Sequence, residues 1–504
     1  VHAEARLVEG LELAGDAQVV GRAQGLPGLQ EGLHGPIGNT SGGLRRTPGE
    51  GGGRSVVGYR CLSVRGSPPG RTGPAGGRTT LPQFSIVIPT RNRASLLPHA
   101  VESVLAQADA DVEVIVSDNH SVDDTAAVID RYRDRGVRHV RPPASLSMPD
   151  HWDFAAEQAT GDWLLLLADD DVFCPNLVPT LRQVVDRADD GVVSWLSGRY
   201  TYRVTDAEAG AGEKQAFERL YYYAELANEL LVPSHTGDVV EMDARQRLRR
   251  LFALEHDPTL PRGYTSACRR DVVDDARRRA GRLFIPLAPD YSFPAVLLSS
   301  IGSYLFVDAP LQVFGAYPRS GDESWHEVFV KEFGAQAPFD RTPIASPMLT
   351  TNLIAETLLR VKEQVTEGLE DIEIDWEAYF LLCWNDLLWT RHHGVPMAEA
   401  EADLRAALAR QPDAVRTAVE GHFSFRHPWL ADRLRDAKRS AAAAKVRRVA
   451  YGAMGRVRRG SALADRRDAR RWLDTVPGGD HGFDDILGAA AYAARTYAPV
   501  ASLR

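Results

Sequence analysis

The sequence predicts an α/β domain: a mostly parallel sheet flanked by helices, followed by a helical C-terminal extension. Three observations predict it. Short apolar runs alternate with helically spaced segments from residue 84 to about residue 188. The strand candidates are apolar on consecutive positions, as a sheet covered on both faces requires. Polar clusters follow three of these strands, and an open parallel sheet binds its ligands beyond the carboxyl ends of its strands.

The elements follow in order. FSIVIP (84–89) is a β-branched run closed by a proline, and SLLPHAVESVLAQ has helical spacing. VEVIVSD (112–118) is a second strand, DDTAAVIDRYRDR a second helix and VRHV a short third strand. DHWDFAAEQATG reads as a third helix, with Asp150 as its N-cap and Gly161 at its C-terminal end. DWLLLLADDD is a fourth strand, and PNLVPTLRQVVDRA a helix with Pro175 in its first turn. Residues 192 to 315 mix strands with helices, and from about 348 to 440 the pattern is helical.

Residues 1 to about 80 hold 20 of the 43 glycines and have little hydrophobic periodicity, so disorder is expected over 1–81. The remaining boundaries are expected at 82–316 for the α/β domain, 317–440 for a loop and helical extension, and 441–504 for a basic helical tail. Residues 438–471 carry twelve Lys or Arg against two Asp. The stretch 445–459 places apolar residues on one stripe, which suits either a helix lying on an anionic membrane leaflet or a solvated or docked helix.

The chain has 504 residues and a net charge of −9, which is mild for that length and points to no nucleic-acid partner. Cys61, Cys174, Cys268 and Cys383 form no CxxC pair and read as free thiols of a reducing compartment. No secretory signal or spanning segment is visible, so a cytoplasmic location is expected.

The chemistry gathers on the strand ends. After the first strand comes PTRNR (89–93), after the second SDNHSVDDT (117–125) and after the fourth ADDD (168–171). Two unit charges 4 Å apart repel by about 1 kcal/mol in bulk water and roughly 4 kcal/mol at an intermediate effective dielectric. A divalent cation reverses that sign, and magnesium or manganese takes one or two carboxylates together with substrate phosphates. The other reading of the triplet is a solvated turn before a helix. There is no GxxxxGK[ST], no GxGxxG after the first strand, no GxSxG elbow and no HExxH.

FSIVIPTRNR, VIVSDNHSVDDT and ATGDWLLLLADDDVFCP, in that order over residues 84 to 178, together resemble glycosyltransferase family 2 on a GT-A fold. The resemblance implies inverting transfer of a sugar from a UDP-, GDP- or dTDP-sugar to a hydroxyl of a glycan or lipid-linked acceptor, with Mn2+ or Mg2+ as cofactor. It implies a nucleotide pocket of Pro89, Thr90, Arg91, Arg93 and Asp118, with Asp169 beside it. The family's Leu-Asp-x-Asp-Asp has Ala168 in place of its first Asp here. Aligning on Pro175 makes Asp170 the metal ligand, with Asp169 and Asp171 supporting it and His326 of RSGDESWHEVF completing the set. MPDHWDF puts His151 where a subgroup has Asn, as a donor contact or simply a helix-start residue. Asp290 in LAPDYSF stands where the family has its general base, or else caps the helix that follows. Two rivals remain: a sugar nucleotidyltransferase, disfavoured because PTRNR has no glycine, and a non-catalytic nucleotide-binding scaffold.

Overall fold

The structure, a computed structural model, describes residues 83–109, 111–203, 227–317, 336–392, 395–421 and 473–497. The expected disorder over 1–81, His326, and the basic stretch 445–459 lie outside the described residues.

The chain builds one mixed sheet. Strands β1 (Phe84–Thr90), β2 (Val112–Asp118), β3 (Val137–Val140) and β4 (Trp163–Leu166) form its parallel part, in the spatial order β4-β1-β2-β3. The connections carry helices α1 (Leu97–Leu105), α2 (Thr125–Asp130) and α3 (Met148–Glu157). A short strand β5 (Val172–Phe173) and helix α4 (Leu177–Val184) complete this half.

The second half turns largely antiparallel. It comprises β6 (Val192–Thr201), β7 (Glu229–Pro233), β8 (Val239–Asp243), α5 (Ala244–Phe252), β9 (Ser266–Arg269), α6 (Arg270–Ala280), α7 (Pro289–Leu298) and β10 (Ser303–Ala316). β9 pairs antiparallel with both β4 and β6, while β10 runs parallel to β6 and antiparallel to β5 and β8. The sheet is therefore parallel on the side that carries the polar clusters and mixed beyond it.

The leucine run explains its own burial. Leu164 and Leu166 pack into one core with Val87 and Trp152, while Leu165 and Leu167 pack into the opposite core with Ile86 and Ile88. Strand side chains alternate between faces, so an unbroken apolar run is what a doubly covered strand needs.

Two local details differ from the sequence expectation. Helix α3 is capped by Ser147, whose hydroxyl accepts from the Asp150 backbone N–H at 3.4 Å and donates to its carboxylate at 2.5 Å. Asp150 is thus the third residue of the helix, capped by Ser147, rather than the N-cap, because the helix starts at Met148. Helix α4 starts at Leu177, so Pro175 precedes it and Pro179 is the proline within its first turn.

The C-terminal helices α8 (Thr350–Gln364), α9 (Trp376–His392), α10 (Ala398–Ala409) and α11 (Asp413–Gly421) do not stand apart. Leu353, Leu358, Tyr379, Trp384, Leu404 and Val419 share one core with Phe293 and Leu297 of α7. Every residue of α7 is buried, as expected for a helix enclosed on all sides. Further along, β11 (Leu473–Pro477) adds an antiparallel edge strand beside β7, and α12 (Ile486–Thr496) packs Ile486 and Ala490 against Tyr200, Val313 and Cys174. Sequence beyond residue 316 therefore completes the sheet and its core, because the apolar faces of β6, β7 and β10 need cover. Among the described residues no helix is long and apolar enough to cross a membrane.

Candidate functional site

The site is built by the register of three parallel strands. Thr90 pairs with Asp118 at the carboxyl ends of β1 and β2, and Leu167 N–H donates to Val87 O at 2.9 Å just before the acidic turn. PTRNR, SDNHSVDDT and ADDD therefore emerge on one rim, as the sequence predicts.

The first two clusters are laced together. Asn92 Oδ1 accepts from Val122 N–H at 2.8 Å, the Asn92 N–H donates to Ser121 Oγ at 2.9 Å, and the Ala94 N–H donates to Asp123 Oδ2 at 3.0 Å. Asn92 and His120 both hold positive φ, 55° and 56°, a region Asn and His enter more readily than most residues. A second staple joins Asn119 to Leu146 through paired bonds of 2.9 Å, drawing the segment after β3 over the end of β2.

The predicted residues have distinct settings here. Pro89 and Thr90 are buried, Arg91 is exposed and Arg93 is half-buried. Thr90 Oγ1 and Arg93 Nη1 are buried and make no hydrogen bond among the described residues. Such groups cost free energy unless a ligand or water completes them. Asp118 is fully buried; Oδ1 accepts from Ser121 N–H at 2.8 Å, and Oδ2 lies 3.0 Å from Arg141 Nη2. Arg141 lies 23 positions after Asp118 in the sequence, beyond β3, and no local pattern marks it.

His151 proves central. It is 1 % exposed, its Nε2 is 2.9 Å from Ser117 Oγ, and burial holds its imidazole down to about 4 although Asp118 and Asp169 oppose that shift. Arg91 adds to the lowering, so the neutral ring stands amid charges from the ends of all three strands. Its position at the start of α3 is readable in the sequence; its burial between β2 and the acidic turn is not.

The acidic turn is closed by Asp171 N–H donating to Ala168 O at 3.2 Å, and all three carboxylates are buried. Asp171 Oδ1 accepts from Gly315 N–H of β10 at 2.9 Å, and Tyr202 Oη donates to the Asp170 carbonyl at 3.2 Å. Asp171 thus ties the turn to the sheet. Among the described residues no three His, Cys, Asp or Glu side chains form a group that could cage a metal by themselves. Asp169 and Asp170 are adjacent on that turn and both are buried.

Asp290 stands in the first turn of α7 and is 2 % exposed. The N-cap of that helix is Ala288, which makes no side-chain cap. Aromatic contacts link this region to the acidic turn. Phe293 stacks on Phe284, Phe284 meets Trp152, Trp152 meets Tyr264, and Tyr264 meets Phe314, the neighbour of Gly315.

Residues 85–240 match the family model described as Glycosyl transferase family 2. A beta-1,3-glucosyltransferase of Campylobacter jejuni, named for GalNAc(5)-diNAcBac-PP-undecaprenol, is 32% identical over 106 residues, covering 20% of this chain and 34% of that protein. The succinoglycan biosynthesis protein ExoO of Rhizobium meliloti is 31% identical over 109 residues, covering 22% of this chain and 30% of its own length. The chain thus spans about a third of the length of the curated relatives it matches. Among solved structures, S. aureus TarS 1–349 in complex with UDP-GlcNAc is similar with a TM-score of 0.38 and 16% identity, covering 68% of this chain and 92% of that one.

Proposed function

We propose that this chain, whose residues 85–240 match the Glycosyl transferase family 2 model, moves a sugar from a nucleotide-diphosphate sugar to a hydroxyl acceptor with inversion. The observation that carries the reading is the rim itself. Buried polar groups of Thr90 and Arg93 without partners stand beside the buried Asp118, on the same strand ends as an acidic turn.

In this reading Thr90, Arg93 and Asp118 bind the nucleotide, with Pro89 and Arg91 lining the same pocket. Asp169 and Asp170 hold the diphosphate through a divalent cation, Mn2+ or Mg2+, which offsets the charge that develops on the leaving group. Asp171 supports the pair by fixing the turn. Asp290 removes the proton of the acceptor hydroxyl on the face opposite the departing diphosphate. Its low exposure on a rigid helix suits a base that must act within a closed site. The acceptor belongs to a cell-surface glycan or its lipid-linked precursor, a reading supported by relatives named for an undecaprenol-linked glycan and for succinoglycan. A peripheral membrane contact through 445–459 rests on the basic composition of that stretch alone, and a cytoplasmic site of action rests on the reading of the cysteines as free thiols.

The test is a thermal-shift screen of UDP, GDP, dTDP and CMP, each with and without Mn2+. A nucleotide that stabilises the protein only when metal is present supports the reading and names the donor class. Silence from all four overturns it in favour of a scaffold.

A further inference from the structure

The segment entering α7 is held from outside itself at nearly every backbone N–H. Leu283 and Phe284 donate to Asp153 at 2.9 and 3.3 Å, and Ile285 donates to Ser292 Oγ at 3.0 Å. Leu287 donates to Gln336 Oε1 at 3.3 Å, and Ala288 donates to Thr357 Oγ1 at 3.1 Å. Leu287 takes a φ of +90°, which a leucine adopts only where its surroundings compel it.

Ala288 is the point that matters for chemistry. It is the N-cap of α7, it is 1 % exposed, and it has no side chain with which to satisfy the helix terminus. Its N–H is completed by Thr357 of α8, which is fully buried and donates its own proton to Leu353 O at 2.8 Å. That donation leaves the oxygen lone pairs facing Ala288. The neighbouring Glu356, also fully buried, accepts from the Arg341 and Thr342 N–H groups at 3.0 Å and pairs with Arg360 at 3.0 Å. α8 is thus clamped in place on the side that meets the loop.

We propose that Thr357 is a positioning residue for Asp290: its hydroxyl fixes the N-cap of α7 and so sets where the carboxylate two residues later points. The inference rests on the reading of Asp290 as the base. It gives the C-terminal helices a role in the reaction, through orientation rather than contact with substrate.

The test compares Thr357→Val, Thr357→Ser and Asp290→Asn in the full chain. The assay follows release of UDP or GDP from UDP-glucose, UDP-N-acetylglucosamine and GDP-mannose with Mn2+, water serving as acceptor. Thr357→Val keeps the shape and loses the acceptor. It should lower kcat about ten-fold, the equivalent of one neutral hydrogen bond, with donor KM and the nucleotide thermal shift unchanged. Thr357→Ser, which keeps the oxygen, should restore most of kcat. Full kcat in the Val variant, an equal loss in the Ser variant, or a matching rise in KM would overturn the positioning role. Asp290→Asn separates the two claims. If it abolishes release while Thr357→Val stays active, positioning alone fails. If Asp290→Asn turns over normally, or the wild type releases nucleotide from no donor, the base assignment falls and the role of Thr357 falls with it.

Discussion

Gly315 and Asp171 hold the acidic turn against the sheet: the Gly315 N–H donates to Asp171 Oδ1 at 2.9 Å. A Cβ on Gly315 would overlap the Asp170 carbonyl oxygen and come within 2.6 Å of Tyr202 Cε2. The obstacle is backbone on one side and a buried ring on the other, so neither can give way cheaply. Gly315→Ala should therefore cost roughly 1–3 kcal/mol in denaturant unfolding and remove metal-dependent stabilisation by nucleotide. An alanine variant that matches the wild type in both measurements would show that the turn is not fixed by this contact.

The three aspartates should separate by function. Asp171→Ala leaves the buried Gly315 N–H without its acceptor and should destabilise the fold by about 1–3 kcal/mol. Asp169→Asn and Asp170→Asn should leave unfolding midpoints nearly unchanged but abolish the Mn2+ dependence of the nucleotide thermal shift. If Asp171→Ala alone lost the metal response with its stability intact, the roles would be reversed.

Buried Asp386 of α9 gives a pH dependence remote from the site. Its Oδ2 accepts from the Thr351 N–H of α8 at 2.7 Å, and burial pushes its carboxyl up to about 7. The folded value lies above the ordinary 3.8, so the folded state holds a proton that the unfolded chain has released. Stability should fall as pH rises from about 4 to about 7, with the cost complete above that. Asp386→Asn keeps an acceptor for Thr351 and removes the titration. Denaturant unfolding at a series of pH values should lose that slope, and the variant should gain roughly 1–4 kcal/mol on wild type at pH 8. An unchanged slope would assign the dependence elsewhere.

The strand β11 should be indispensable to the sheet. It covers the edge of β7, Gly478 N–H donates to Asn228 O at 2.8 Å, and Tyr200 Oη donates to Asp484 O at 3.1 Å. Removing residues 473–504 uncovers that edge and the apolar faces of Tyr200 and Val313, which invites strand-to-strand association. Light scattering should report association of the truncated chain, accompanied by an earlier unfolding midpoint. A monodisperse truncation of wild-type stability would refute this.

The parallel half of the fold was legible in the sequence because its signals are local. β-Branched runs, helical spacing and polar strand ends each lie within a dozen residues, and β2 and β3 have the bounds read from them. The antiparallel half was harder, since β9 is four residues long and is a strand only because β4 and β6 flank it.

The sequence by itself determined which residues stand on the rim: Thr90, Arg93, Asp118 and the acidic triplet each end a strand or follow one closely. Tertiary structure alone decided how they are used. It set Arg141 beside Asp118, buried His151 as a neutral ring, turned Asp171 toward Gly315, brought Thr357 to the loop before Asp290 and returned β11 to the sheet. The physical reason is range. Strand and helix preferences act between neighbours in sequence, whereas an ion pair or buried hydrogen bond joins whichever groups packing brings together. Those pairs lie 23 to 248 positions apart, and no local pattern encodes them.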